Sequence, residues 1–184
     1  MENDAAAIKL VAFARGDRAA LRPLYEEFGP ALYGYLLAAS GNREDALDLL
    51  QDVFLWIFQH AGELADLESP LGYLVQVGRR LALQRKKSAD SARPRGEVRR
   101  GAETCLLQIP AAADPSEALQ RREEAARLEA AWMSLADFRR EIVQLHVHMG
   151  MTFQETAAIL GMPMSKVVYH YQTALQHMKA RLDA

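Results

Sequence analysis

The sequence predicts an all-α protein of two small helical domains joined by a flexible linker, the second containing a helix-turn-helix. Three observations predict it. Helix punctuation recurs along the chain, while Asn-Gly and Asp-Gly hairpins and sustained apolar alternation are missing. One central stretch also loses periodicity altogether. Residues 1–88 are assigned to the first domain, 89–115 to the linker and 116–184 to the second domain.

Asp4 can cap a first helix that stops near Gly16. Asp17 opens a second, which Pro23 can bend and Gly29-Pro30 interrupts or kinks. Asn42, with Asp45 three residues on, caps a third running to about His60. Its residues Ala46, Leu47, Leu50, Val53, Phe54, Ile57 and Phe58 recur at three- and four-residue steps, which predicts one buried stripe. Asp45, Asp48, Asp52 and Gln59 lie off it. Ser69-Pro70 starts a fourth helix, because Pro suits a first turn whose N–H is not needed, and this helix runs to roughly Lys87.

Residues 88–115 mix Ser, Ala, Pro and Gly with basic charge and read as linker. Helical sequence resumes at Asp114-Pro115-Ser116-Glu117 and continues to about Met133. A helix near Asp137–Met149 follows, then Thr152-Phe153-Gln154-Glu155, a capping box. Gly161-Met162-Pro163 makes a tight turn into a last helix from Met164 to about Arg181. Two helices joined by a three-residue turn suggest helix-turn-helix. Met149, Met151, Met162 and Met164 gather about that turn and read as core packing.

The net charge of −2 hides a strong segregation. Residues 1–78 carry five Lys and Arg against twelve Asp and Glu, whereas residues 79–100 carry nine against two. Residues 101–184 carry eight against ten. A basic band between acidic segments suggests one surface for a polyanion and others for basic partners. Arg93 to Arg100 read as solvated linker charge, but Arg79 to Lys87 sit inside a helical pattern. There Tyr73, Val77, Arg80, Gln84 and Lys87 fall on one face, with Arg79, Arg85 and Lys86 flanking it. Cations beside an aromatic and an amide can hold phosphates and stack on or hydrogen-bond an unpaired base.

Several classes are disfavoured. Cys105 is alone, so no internal disulfide forms and a reducing cytoplasm fits. The first twenty residues do not read as a secretory signal, and no stretch approaches the ~20 apolar residues of a membrane span, so no membrane insertion is expected. His146 and His148 are two apart on an expected helix and do not share a face; with no Cys near and no His-Glu-x-x-His, no metal is expected. Phosphate-cradling Gly-rich loops, nucleophile elbows and kinase signatures are lacking, so neither an enzyme nor a cofactor is expected.

Four stretches, in order, resemble the extracytoplasmic-function sigma factors of bacterial RNA polymerase. They are Gly16–Leu21 through Tyr33, Arg43–Phe54, Pro70–Leu83, and Arg140–Val143 through Gly150–Pro163. The resemblance implies that an acidic, partly apolar helix face (Asp45, Asp48, Gln51, Asp52, Leu55) docks on the core polymerase. It further implies that Tyr73, Arg79, Arg80, Gln84, Arg85, Lys86 and Lys87 hold the opened −10 strand of promoter DNA. The loop Ala61–Glu68 would help form a pocket for a flipped base, and Lys166, Tyr169, His170 and Gln172 would contact the −35 duplex. An anti-sigma factor that blocks these surfaces is expected as a further partner. The chain departs from the family pattern at Tyr73, where Trp is usual, and at Arg80, where Asn is usual. Val168, His170 and Thr173 stand where the recognition helix usually has basic residues, which leaves that helix poor in cations. That poverty suits an alternative, a sigma-like decoy for an anti-sigma factor or polymerase with little DNA reading of its own. An ordinary helix-turn-helix repressor or activator is disfavoured by the polymerase-like segment at Asp45–His60.

Overall fold

The computed structural model describes residues 11–61, 67, 69–92 and 115–183. The expected cap at Asp4, most of the loop Ala61–Glu68, Cys105 and the linker from 93 to 114 lie outside them. Among the described residues every regular element is helical. The chain divides into two compact units, Met1–Glu103 and Thr104–Ala184.

In the first unit Asp17 accepts a hydrogen bond from the Ala19 N–H at 3.0 Å and caps a short 3₁₀ turn, Arg18–Ala20. The turn feeds directly into α1 (Leu21–Ser40). Pro23 sits in the first turn of α1, where no N–H is required. Pro30 lies inside the helix, which continues through it; the expected interruption at Gly29-Pro30 does not occur. Pro30 is on the exposed side, as is Glu26, whose carbonyl loses its partner to the proline and can turn to water instead. The opposite side of α1 buries Leu24, Phe28, Leu32, Tyr35 and Leu36 at helical spacing.

The second helix of this unit, α2 (Arg43–Gln59), begins as expected: the Asn42 side chain accepts from the Asp45 N–H at 2.8 Å. Its buried stripe is Ala46, Leu49, Leu50, Val53, Phe54 and Ile57. Leu47 and Phe58, expected in the stripe, are 46% and 38% exposed, and Leu49 takes a place not assigned to it. At 3.6 residues per turn, positions 47 and 58 fall a quarter-turn or slightly more from the centre of the stripe set by 46, 50, 53 and 57, just beyond its edge, while 49 falls within it. Helix α3 (Pro70–Ala92) starts at Pro70 and runs five residues past Lys87, because the first helix breaker after it is Pro94. The three helices pack pairwise around one core. A Cβ at Gly78 of α3 would stand 3.1 Å from Leu36 Cδ2 and 3.4 Å from Val53 Cγ2, so a residue without a side chain lets α3 close on both other helices.

The second unit comprises α4 (Pro115–Met133), α5 (Asp137–Val143), α6 (Phe153–Leu160) and α7 (Met164–Leu182). Its expected helix over Asp137–Met149 departs from α geometry at Gln144. The chain widens there into a π turn, Gln144–His148, and the Met149 N–H donates to the Gln144 carbonyl at 3.1 Å. The widened turn places the His146 ring in a 4.0 Å stack with Phe153, while its Nδ1 lies 2.7 Å from the Met151 carbonyl. His148 meets Trp132 edge-on instead. The two histidines therefore serve separate contacts.

The capping box forms as expected: Thr152 Oγ1 accepts from the Glu155 N–H, and Glu155 accepts from the Thr152 N–H. Gly161 turns the chain at φ +66° in the left-handed region, a conformation glycine adopts without steric cost. Helix α7 is the centre of this unit and packs on α4, α5 and α6. Tyr171 joins its two core clusters, one around Trp132, Leu135, Val143 and Ala174, the other around Ile142, Ala157 and Val167. Met151 is buried and Met162 packs on the second cluster, but Met164 is 53% exposed and contributes little to the core.

Candidate functional site

Of the residues singled out in the first unit, Asp45, Asp48, Asp52, Tyr73, Arg80 and Arg85 meet along the seam between α2 and α3. The two helices run antiparallel there, since the late Arg85 lies opposite Asp52 and the early Tyr73 opposite Trp56. At one end the Arg85 guanidinium stands among three carboxylates. Its Nη2 donates to Asp52 at 2.9 Å, and its Nη1 lies 3.5 Å from Asp48 and 3.7 Å from Asp45. Only the first is a full hydrogen bond; the other two are looser ionic contacts. Asp45 also accepts from the Asn42 side chain, which fixes it in the first turn of α2.

Arg85, expected to flank the nucleic-acid face, points instead toward the α2 carboxylates. Leu74, Gly78, Leu81 and Arg85 recur at helical spacing and share the side of α3 that faces α1 and α2. Arg85 is where this core-facing stripe runs out of apolar residues and meets acid. The other cations behave differently. Arg80, Lys86 and Lys87 are exposed, Gln84 is exposed beside them, and Arg79 is half-buried. Val77, expected on the same face, is buried, so that face belongs to the core at its N-terminal end and to solvent from Arg80 onward.

The other end of the seam is aromatic. Trp56 stacks on His60 at 4.0 Å between ring centroids, with the planes 9° apart. The Tyr73 ring lies 5.6 Å from Trp56, and the Arg80 guanidinium sits 5.2 Å from the Trp56 centroid, in cation–π range. Tyr73 is half-buried, placed between core and surface. Neither Trp56 nor His60 was expected here. The signal was available, because Asp45, Asp52, Trp56 and His60 follow one another along one side of α2 at helical spacing. Gln51 and Leu55 face solvent on the neighbouring side, with Leu55 52% exposed. Leu47 is exposed there too, so α2 offers an acidic edge beside an apolar one.

In the second unit the outward side of α7 carries Lys166, Tyr169 and Gln172, all exposed. His170 is turned partly inward. Its ring meets the Phe138 edge at 4.9 Å, and its buried Nδ1 makes no hydrogen bond among the described residues. Phe138 is itself 41% exposed and lies under the Arg139 guanidinium at 5.6 Å, so aromatic surface rather than charge dominates this edge. Among the described residues no group of three or more His, Cys, Asp and Glu is placed to hold a metal ion, and no helix is long and apolar enough to cross a membrane.

With this geometry in place, comparison with known proteins is informative. Residues 24–92, which span α1 to α3, match the sigma-70 region 2 family. Along nearly its whole length the chain is similar to the ECF RNA polymerase sigma factor SigK of Mycobacterium ulcerans (strain Agy99). That similarity is 26% identity over 172 residues, 93% of this chain and 90% of that protein. SigK of Mycobacterium tuberculosis (strain ATCC 25618 / H37Rv) is 24% identical over 168 residues, covering 91% and 88%. In fold the chain is similar to CnrH, solved in complex with the cytosolic domain of CnrY, with a TM-score of 0.63 at 21% identity and coverage of 100% and 98%. The first unit is thus a sigma-70 region 2 domain. Beyond that domain, the chain is similar along nearly its whole length to extracytoplasmic-function sigma factors.

Proposed function

We propose that this chain binds core RNA polymerase and directs promoter-specific initiation, opening the −10 strand with its first domain and reading the −35 duplex with its second. Asp45, Asp48, Gln51, Asp52 and Leu55 of α2 are the proposed docking face. Tyr73, Arg79, Arg80, Gln84, Lys86 and Lys87 of α3 hold the opened strand, and Lys166, Tyr169, His170 and Gln172 of α7 meet the duplex. The proposed functional domains are 1–88 and 116–184, with a linker between them. The protein carries out no chemistry and needs no cofactor; the melting free energy comes from binding the unpaired strand more tightly than the duplex.

The observation that carries this reading is the division of charge across one region 2 domain: α2 turns carboxylates and an exposed leucine outward, while α3 turns Arg80, Gln84, Lys86 and Lys87 outward. A basic protein surface fits the first and a polyanion the second. We further propose a cytoplasmic location and an anti-sigma partner that covers these faces, as CnrH is held in a complex with the cytosolic domain of CnrY. Transcription of genomic fragments by purified core polymerase, with and without the chain, tests the reading. Discrete start sites that depend on the chain are expected. Binding to polymerase without any such start site would make the chain a decoy instead.

A further inference from the structure

The position of Arg85 is left unexplained by that scheme, since it belongs to the basic helix yet is held by the carboxylates of the docking face. We propose that Arg85 is an internal counter-ion that couples the two surfaces: in the free chain it neutralises the α2 carboxylates, and when a basic partner takes those carboxylates it is released to the nucleic-acid backbone. This inference rests on the reading of α2 as the polymerase-docking face.

Three features carry it. First, the contact is built to be held but not locked. One hydrogen bond at 2.9 Å and two longer contacts surround a guanidinium that is 39% exposed, against carboxylates 43% to 58% exposed. Ion pairs this open to water are weak and are screened by salt. An incoming cation can therefore compete for the same oxygens at low cost. Second, these are the oxygens a basic partner would need. With Arg85 in place, three carboxylates present a net charge of −2 rather than −3. Third, Arg85 is followed at once by exposed Lys86 and Lys87 and preceded by exposed Gln84, so a strand running along those residues passes within reach of a long side chain. The planar fork that now spans several carboxylate oxygens suits a phosphate equally well.

The coupling has a signature that a merely structural arginine lacks: one substitution should move two affinities in opposite directions. In the full chain Arg85→Gln should tighten binding to core polymerase by about two- to fivefold at low salt, the scale of an exposed ion pair. Fluorescence titration at several salt concentrations reads this. In the assembled complex the same variant should bind a forked duplex, carrying a promoter selected in the transcription assay, more weakly, with a salt slope shallower by about 0.7, the value for one single-strand phosphate contact. Arg85→Lys keeps the charge without the fork and should fall between wild type and Gln in both measurements, which keeps the test open if the Gln variant folds poorly. Unchanged affinities overturn the proposal, and so does a parallel loss of both with a lowered melting temperature, which would make Arg85 a strut between α2 and α3. A separate control isolates the underlying reading. If Asp48→Lys with Asp52→Lys leaves polymerase binding intact, the docking face itself is wrong. If that pair abolishes docking while Arg85→Gln fails to tighten it, only the coupling falls.

Discussion

Helices α3 and α7 are both expected to meet DNA, and they differ in where their cations sit. Helix α3 holds Arg79, Arg80, Arg85, Lys86 and Lys87 within about two and a half turns, and α7 has Lys166 in its first turn and then no Lys or Arg until Lys179. Between those lysines its exposed residues include Tyr169, Gln172, Leu175, Gln176 and His177, with His170 half-buried against Phe138. Phosphate neutralisation supplies most sequence-independent affinity, whereas base-edge and apolar contacts supply discrimination. Under the proposed function, the contrast predicts that affinity comes mainly from the first unit and a salt-insensitive, contact-based contribution from the second.

The largest effect should come from removing the support of the basic helix. Gly78 brings α3 against Leu36 and Val53, and Leu36 is fully buried. Leu36→Ala should cost about 2–5 kcal/mol, the range for deleting a buried leucine side chain. Urea unfolding followed by circular dichroism checks it, and a loss under about 1 kcal/mol would mean that this core closes around the vacancy. The second unit should keep its own transition, since α7 buries its residues against α4, α5 and α6.

A smaller effect, on binding rather than folding, is expected from reversing charge on α2. Asp48→Lys with Asp52→Lys should weaken core polymerase binding by about tenfold or more. The same pair should cost less than about 1 kcal/mol of stability, because both carboxylates are half-exposed and their bonds to Arg85 are open to water. Co-purification together with a thermal melt separates the two. On the other side of the seam, Arg80→Ala and Lys87→Ala should each reduce permanganate reactivity of promoter thymines several-fold, about the loss of one phosphate contact, while leaving polymerase binding unchanged. Arg80→Ala should be the more severe, because it also removes the cation over Trp56. Equal, normal footprints would return both residues to solvated charge and erase the contrast with α7.

Much of this was legible in the sequence because its signals are local. The Asn42 cap, the Ser69-Pro70 start, the capping box of Thr152 and Glu155 and the Gly161 turn each depend on residues within a few positions of one another, and each forms. What escaped the sequence depends on a partner helix. Leu47 and Phe58 are apolar but lie at the margin of the stripe of α2, where Phe58 is covered only in part, by the Phe13 ring and the Arg18 guanidinium, and both stay exposed. The π turn at Gln144–His148 sets His146 against Phe153 and Tyr171, residues up to 25 positions away. Arg85 looked like one more member of a basic cluster until α2 supplied the acid opposite it. Charge counting along a chain gives the sign of a segment but not which side chains already face a partner.

The smallest and most discriminating effect concerns α7. If its contribution is limited by a lack of cations, then Gln172→Lys, on the exposed side beside Tyr169, should strengthen binding of the polymerase complex to a −35 duplex by a few-fold. The salt slope should steepen by about 0.9, one additional phosphate contact. Tyr169→Ala makes the opposite kind of change. Tyr169 is 62% exposed and touches only the His170 ring among the described aromatic contacts, so its removal should leave the fold intact. Its loss should weaken binding by removing ring contact rather than charge, and the salt slope should not move. Anisotropy titrations of the wild-type and variant complexes at several salt concentrations give affinity and slope together. A slope that falls with Tyr169→Ala would mean that the ring holds Lys166 in place on a phosphate. A slope unaffected by Gln172→Lys would mean that this side of α7 does not face the backbone, and the division of labour between α3 and α7 would then need a different docking side for the helix.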